Sequence, residues 1–449
     1  MLAVLSNTTY RNLFLAQVIA LVGTGLTTVA LGLLAYEIAG SNGGAVLGTA
    51  MAIKMIAYIG VAPVVGAYAA RLPRRAFLIA MDVIRIGVAL VLPFVDQVWQ
   101  VYVLIFILQS ASAGFTPTFQ ATIPDILPDE KDYTRALSLS RLAYDMESLT
   151  SPILAAALLT VFNFHWLFAG TAVGFAASAL LVLATALPAS SAKQRQGGIW
   201  TNTTLGTRIY LATPRLRGLL AVTLAAAAAS AMVIVNTPVL IRAGLGLGQS
   251  EVAMTLAAFG GGSMIAALLL PRLLDRVVDR TVMLASAAAM TLLLGALALG
   301  WQLHGRSGFW YALLGGWLLL GMVYAASITP GGRLLRRSAG SDDRTALFAA
   351  QFALSHICWL IAYPLAGQVG ALAGFGTAFT ATAILAAIGT IIAFLIWPSR
   401  DPEVVEHRHD DLPPGHPHLI EAHPDGRAGH AFQIDDLHRH WPRREKKGL

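Results

Sequence analysis

Only one cysteine, Cys358, stands among the 449 residues, which excludes a disulfide framework and a cluster of thiolate ligands. Charge is scarce too. Charged residues make up 12% against 56% hydrophobic, with a mean hydropathy of +0.66, a balance that excludes an ordinary soluble enzyme. No glycine-rich loop closed by Lys and Ser or Thr occurs, so no ATP-driven pump is expected, nor any membrane-embedded catalytic constellation.

What the chain has in abundance is apolar runs, each long enough to cross about 30 Å of hydrocarbon as a helix. Twelve spans are expected, near 13–38, 45–70, 76–95, 99–122, 136–161, 165–187, 216–241, 250–274, 281–303, 308–330, 346–370 and 375–397. The first is too long for a removable signal peptide and has no small-residue cleavage pattern, so it is expected to stay in the protein. The expected class is an all-α, multi-pass membrane protein, a monomer whose main partner is the lipid bilayer.

Lys and Arg settle on alternate connections. One side carries Arg71, Arg74 and Arg75; Lys131 and Arg135; Lys193, Arg195 and Arg208; Arg272, Arg276 and Arg280; and Arg333, Arg336, Arg337 and Arg344, while the other has Arg242 and Arg306. Cytoplasmic loops hold the basic excess, so both termini are expected in the cytoplasm. The formal charge of +7 then reports topology rather than affinity for nucleic acid.

The polar connection 188–215 separates an N-terminal six-helix half, 1–187, from a C-terminal one, 216–397. The halves repeat. GAYAARLPRR, Gly66 to Arg75, and LLLPRLLDRVVDR, Leu268 to Arg280, follow spans two and eight, and Arg135 to Pro152 matches Arg344 to Pro364 in spans five and eleven.

These stretches resemble the major facilitator superfamily, whose motif after the second helix reads roughly G-x-x-x-D-R-x-G-R-R. Gly66, Arg71, Arg74 and Arg75 fit it, whereas Ala70 and Pro73 replace the aspartate and the second glycine. The resemblance implies two pseudo-repeats rocking about a midplane site, with a charge latch at the cytoplasmic face. Without its aspartate, the first half is expected to latch through Asp82 and Arg85, and the second through Asp275 and Arg276. Helices one, four, seven and ten usually line such a cavity, which here offers Gln17, Gln109, Ser230, Asn236 and Tyr324 among others.

Ionisable groups inside spans are functional suspects, since each costs about 2.5–3.5 kcal/mol or more at membrane depth. On span five, Arg141, Tyr144, Asp145, Ser148 and Pro152 share one face. Asp145 suits an i, i+4 pair with Arg141 as well as a transport role. Glu147 is two residues on, about 200° around the helix, so the two carboxylates cannot chelate one ion. Deeper and without a local partner, Glu147 is the candidate for proton coupling. Lys54, near mid-membrane in span two, reads either as a structural ion pair or as a resident counter-charge displaced by a cation. His356 shares a face with Phe352, Trp359 and Tyr363, which suits a satisfied core histidine or a single ligand.

After Trp397 the character changes. Eight of the eleven histidines fall here, His407, His409, His416, His418, His423, His430, His438 and His440, with ten acidic residues and several prolines. Residues 398–449 are expected to be a disordered or loosely ordered cytoplasmic tail. Such a tract without cysteine favours labile nickel, zinc, copper or cobalt binding, weakening below about pH 6.5; the alternative is an inert solvated tail.

With the tail in view, AIKMIAYIGVAP, FTPTFQATIPDILPDEKDYTRALSLSRLAYDMES and the tail itself resemble bacterial nickel-resistance exporters of the same superfamily. That resemblance implies proton-driven removal of nickel, or of cobalt in its place, with no tightly bound cofactor. Arg141, Asp145, Glu147, Lys54, Gln109, Asn236 and His356 are the expected transport and coupling residues. Export of a siderophore or hydrophobic drug, with the tail incidental, is the alternative; a metal sensor that moves nothing is a third.

Overall fold

A computed structural model describes residues 2–39, 43–69, 72–188, 199–304, 308–399, 404–408, 427–434, 438 and 441. The body is all helix. The first half comprises α1 (Thr8–Ala39), α2 (Gly43–Ala69), α3 (Arg74–Val91), α4 (Val98–Ile126), α5 (Glu130–Leu159) and α6 (His165–Leu183). A connecting helix, α7 (Ile199–Ala212), packs on α2 and α14. The second half holds α8 (Pro214–Ala231), the one-turn α9 (Thr237–Val239), α10 (Gln249–Leu274), α11 (Asp279–His304), α12 (Phe309–Ile328), the short α13 (Gly331–Ser338), α14 (Arg344–Ala373) and α15 (Phe375–Ile396).

Among the described residues, eleven helical stretches are long and apolar enough to cross a membrane, the sixth of them running from Pro214 through α9 to Gly244. α5 is the remaining member of the expected twelve. Its cytoplasm-assigned end is strongly polar, because Asp129 caps it by accepting the Asp132 N–H at 3.0 Å and Glu130 and Asp132 occupy the first turn. Acids there complement the helix dipole.

Each half packs around its own apolar clusters. In the second half the run Ala225 to Ala229 is fully buried, and these small side chains let α14 and α15 approach α8 closely. Close approach of small residues is the usual source of cohesion between helices in lipid, where apolar side chains gain little by leaving the solvent. The halves meet where α2 and α4 pack against α14 and where α5 packs against α10.

The seventh span is interrupted. After Ala231 the backbone widens into π-helix over Met232–Asn236 and again over Leu240–Gly244, flanking Pro238, which has no N–H to give. Asn236 stitches the break to α14 by donating to the Ala366 carbonyl at 3.0 Å.

In the tail, Val404–Arg408 (β1) pairs antiparallel with Arg427–Ala431 (β2), in a register that sets Val405 opposite His430 and His407 opposite Ala428. Just beyond, Phe432 and Ile434 are buried and join the core of the second half. Arg215 donates to the Phe432 carbonyl at 3.3 Å and lies 5.1 Å from the Trp441 ring centroid. The tail, expected to be disordered or loosely ordered, holds these paired and buried residues. A few apolar side chains among the acids suffice to anchor a segment that composition alone reads as unstructured.

Candidate functional site

The two carboxylates of α5 do face different neighbours. Asp145 is buried and bidentate with Arg141, whose Nε lies 3.2 Å from Oδ2. Ser263 of α10 completes the group, accepting from Arg141 Nε at 3.0 Å and donating to Asp145 Oδ2 at 2.5 Å. The Arg141 guanidinium also stacks over Tyr324 of α12 at 4.9 Å from its centroid. This is a pin between halves, in which the ion pair is local and the hydroxyl comes from across the seam.

Glu147 points the other way, toward Gly25 of α1 and Ser151. Among the described residues no hydrogen bond or ion pair reaches its half-buried carboxylate, and Lys54 of α2 is the cation that acts on it through space. Lys54 in turn stands 5.5 Å from the Tyr58 centroid. Tyr58 donates to Gln109 Oε1 of α4 at 2.8 Å and meets His356 of α14 edge-on, ring centroids 4.6 Å apart. The His356 Nδ1 lies 2.6 Å from the Phe352 carbonyl, so that nitrogen carries the proton and Nε2 is left as acceptor.

Of the seven expected transport residues, Glu147, Lys54, Gln109 and His356 thus gather in one region, with Arg141 and Asp145 one step toward the arginine-rich face. Asn236 is elsewhere, engaged with Ala366 and Met232 in the π segment. Sequence reading passed over Tyr58 and Ser263, which join these groups. Tyr58 was legible one helical turn after Lys54; Ser263 carried no signal.

Beneath this cluster a cavity of about 250 Å³ lies between the halves, lined by Ser140, Arg141 and Tyr144 on one side and Thr223, Gln351, Phe352 and Trp359 on the other. Its lining is polar and aromatic. No cluster of three or more His, Cys, Asp or Glu suited to a metal ion occurs among the described residues.

The arginine-rich face is closed by contacts between halves. Asp125, at the end of α4, takes Arg74 at 2.5 Å and Arg344 of α14. Arg333 of α13 reaches Glu130 at 2.5 Å and Asp279 at 3.2 Å, and Arg336 reaches the Pro128 carbonyl. Gly66 brings α2 against α14, where a Cβ would stand 2.4 Å from that of Ala349.

The two expected latch pairs lie away from these contacts between the halves. Asp82 and Arg85 pair inside the first half, with Ser178 donating to Asp82 at 2.9 Å and Phe115 and Phe175 flanking the guanidinium. An apolar sleeve holds that pair away from the seam. Asp275 and Arg276 are exposed and make no ion pair among the described residues; the acid used there is Asp279. Arg75 is exposed, and Arg71 lies outside the described residues, as do His409, His416, His418, His423 and His440. Only the backbone of His407 and His430 is described, and His438 is buried against Phe432.

Two six-helix halves meeting along a polar, charge-bearing seam make a membrane transporter. The chain belongs to the Major Facilitator Superfamily, whose pattern matches residues 13–301 and 219–423. Macrolide efflux protein A of Enterococcus faecalis is 26% identical over 152 residues, 32% of this chain and 47% of that protein, so the match spans about half of that relative. Among solved structures, the human organic anion transporter MFSD10 (TETRAN) superposes with a TM-score of 0.73 at 15% identity, over 86% of this chain and 99% of that one. A bacterial homologue of the iron transporter ferroportin in its outward-facing state gives 0.73 at 16%, over 87% and 100%. The proton:xylose symporter XylE gives 0.68 at 14%, over 88% and 94%. These likenesses establish the fold.

Proposed function

We propose that the protein is a secondary exporter that moves nickel, or cobalt in its place, out of the bacterial cytoplasm in exchange for protons. The observation that carries the coupling is Glu147, a carboxylate within the seam with no direct partner among the described residues and a lysine acting on it through space. Such a group can take a proton or attract a cation, and either changes the charge that Lys54 meets. The cation is drawn to Glu147 with Lys54 displaced, His356 Nε2 and the Gln109 and Tyr58 oxygens offer neutral donors, and a proton arriving from outside releases it. The metal part of this reading is supported by the composition of the tail, which holds eight of the eleven histidines, and not by a metal-ligand cluster among the described residues.

Export of a hydrophobic organic molecule is the second reading. It is favoured by the aromatic lining of the cavity and by the similarity to a macrolide efflux protein. Proteoliposomes carrying an internal pH dye separate the two. Nickel-dependent proton flux, abolished by dissipating the pH gradient, is the expected result. Flux with a macrolide and none with nickel would refute the metal reading and establish the organic one.

A further inference from the structure

The closed arginine-rich face holds a second cavity, of about 230 Å³, bounded by α5, α13, the start of α14 and Gln433 of the tail. Its electrostatics are unbalanced. Three carboxylates of this face are already engaged: Asp125 by Arg74 and Arg344, and Glu130 and Asp279 by Arg333. The cavity lining sets Arg333, Arg336, Arg337 and Arg344 against one carboxylate, Glu130. Among the described residues Arg336 has only the Pro128 carbonyl and the Tyr133 ring, 5.4 Å from its centroid.

Three donors around the cavity are orphaned. Arg336 Nη1, Arg344 Nε and the Tyr133 hydroxyl are buried with no hydrogen-bond partner among the described residues, and Tyr133 is wholly buried. Buried polar groups are almost always satisfied, so three such donors around one cavity mark a missing acceptor. Water could occupy the space, but water would leave the excess positive charge in place. An oxyanion answers both needs, because guanidinium groups bind phosphate oxygens in forked pairs and a phenol donates a third bond.

We propose that this cavity binds a phosphate-bearing anion, held by Arg336, Arg344 and Tyr133. Tyr133 belongs to the first half and both arginines to the second, so the complete site exists only while this face is shut, and the bound anion therefore favours the shut state. The site is separate from the transport seam and does not depend on which substrate is carried.

The test uses the full chain in nanodiscs of zwitterionic phosphatidylcholine, titrated with inorganic phosphate and pyrophosphate, with the thermal unfolding midpoint and calorimetric binding as readouts. A second arm uses discs containing phosphatidylglycerol without added phosphate. Tyr133→Phe removes an unsatisfied hydroxyl without opening a void, so it folds, and Arg336→Gln removes the principal charge. A saturable rise in the midpoint with phosphate, about tenfold weaker in affinity in Tyr133→Phe and lost in Arg336→Gln, is expected for a soluble ligand. Stabilisation confined to the phosphatidylglycerol discs, with the same sensitivity to Tyr133→Phe, assigns the site to a lipid headgroup. No change in either arm, or equal responses from wild type and Tyr133→Phe, overturns the proposal and leaves the cavity to water.

Discussion

Gly66 offers the sharpest test of how the halves close. A methyl group there would stand 2.4 Å from Ala349 Cβ, whereas ordinary contacts begin near 3.4 Å, so Gly66→Ala must part α2 and α14 by roughly 1 Å. Overpacking of this kind costs about 1–3 kcal/mol. The cost arises only while the two helices touch, so it falls on the state closed at the arginine-rich face and not on the open one. Converted to populations, the equilibrium shifts about 5- to 150-fold toward the open state. Spin labels on α2 and α14 near this face, read by pulsed electron resonance, should show the longer distance gaining amplitude. Ala349→Gly removes the opposing methyl and should restore the wild-type distribution in the double variant, a coupling that a general loss of stability would not show. Gly60, where an added methyl would meet no atom within 4 Å, serves as control. An unchanged distance distribution in Gly66→Ala would refute the idea that this contact sets the closed state.

On α5, Glu147→Gln should reduce transport in proteoliposomes more than Asp145→Asn does, since Glu147 lacks a direct partner among the described residues while Asp145 serves a pin shared with Arg141 and Ser263. Equal wild-type rates for both folded variants would make α5 scaffold. Truncation after Pro398 removes Phe432 and Ile434 from the core of the second half, worth about 1.5–3 kcal/mol per fully buried side chain. The truncated protein should therefore unfold at lower temperature and bind fewer nickel ions by equilibrium dialysis, yet still transport; abolished transport by a folded truncate would place the tail inside the cycle.

Spans and halves were readable because a segment with no water around its backbone has almost no choice but to be an apolar helix. The Arg141 and Asp145 spacing announced their pairing for the same reason of simple periodicity. Ser263 could not be read, since it lies 118 residues from Asp145 and a lone serine in a span has no signature. Asp125 was missed as the centre of the latch because its two arginines come from the start of α3 and the start of α14, a convergence that only tertiary packing makes. Asp82 and Arg85 are the opposite case. Their charges suggested a latch, but Phe115, Phe175 and Ser178 enclose them within one half. Pro238 after Asn236 and Thr237 was the available sign of the π segments, and Val404 with Val405 that of the tail strand.

The arrangement constrains how coupling could work. Glu147, Lys54, Tyr58 and Gln109 all belong to the first half, so rocking of the halves leaves their mutual geometry intact. Arg141 and Asp145 likewise travel together, and opening the α5–α10 line costs Arg141 its stacking on Tyr324 and costs the pair Ser263. Two hydrogen bonds between that hydroxyl and charged groups are at stake, of order 1.5–3 kcal/mol each before water replaces them. His356 differs, because it sits on α14 and touches Tyr58 across the seam. On the proposed reading, a change of charge at Glu147 would reach the second half through Lys54, which acts on both Glu147 and His356. On the proposed exchange of cation for proton, coupling would run through the aromatic contact between Tyr58 and His356 beside Lys54, working against the latch at the arginine-rich face.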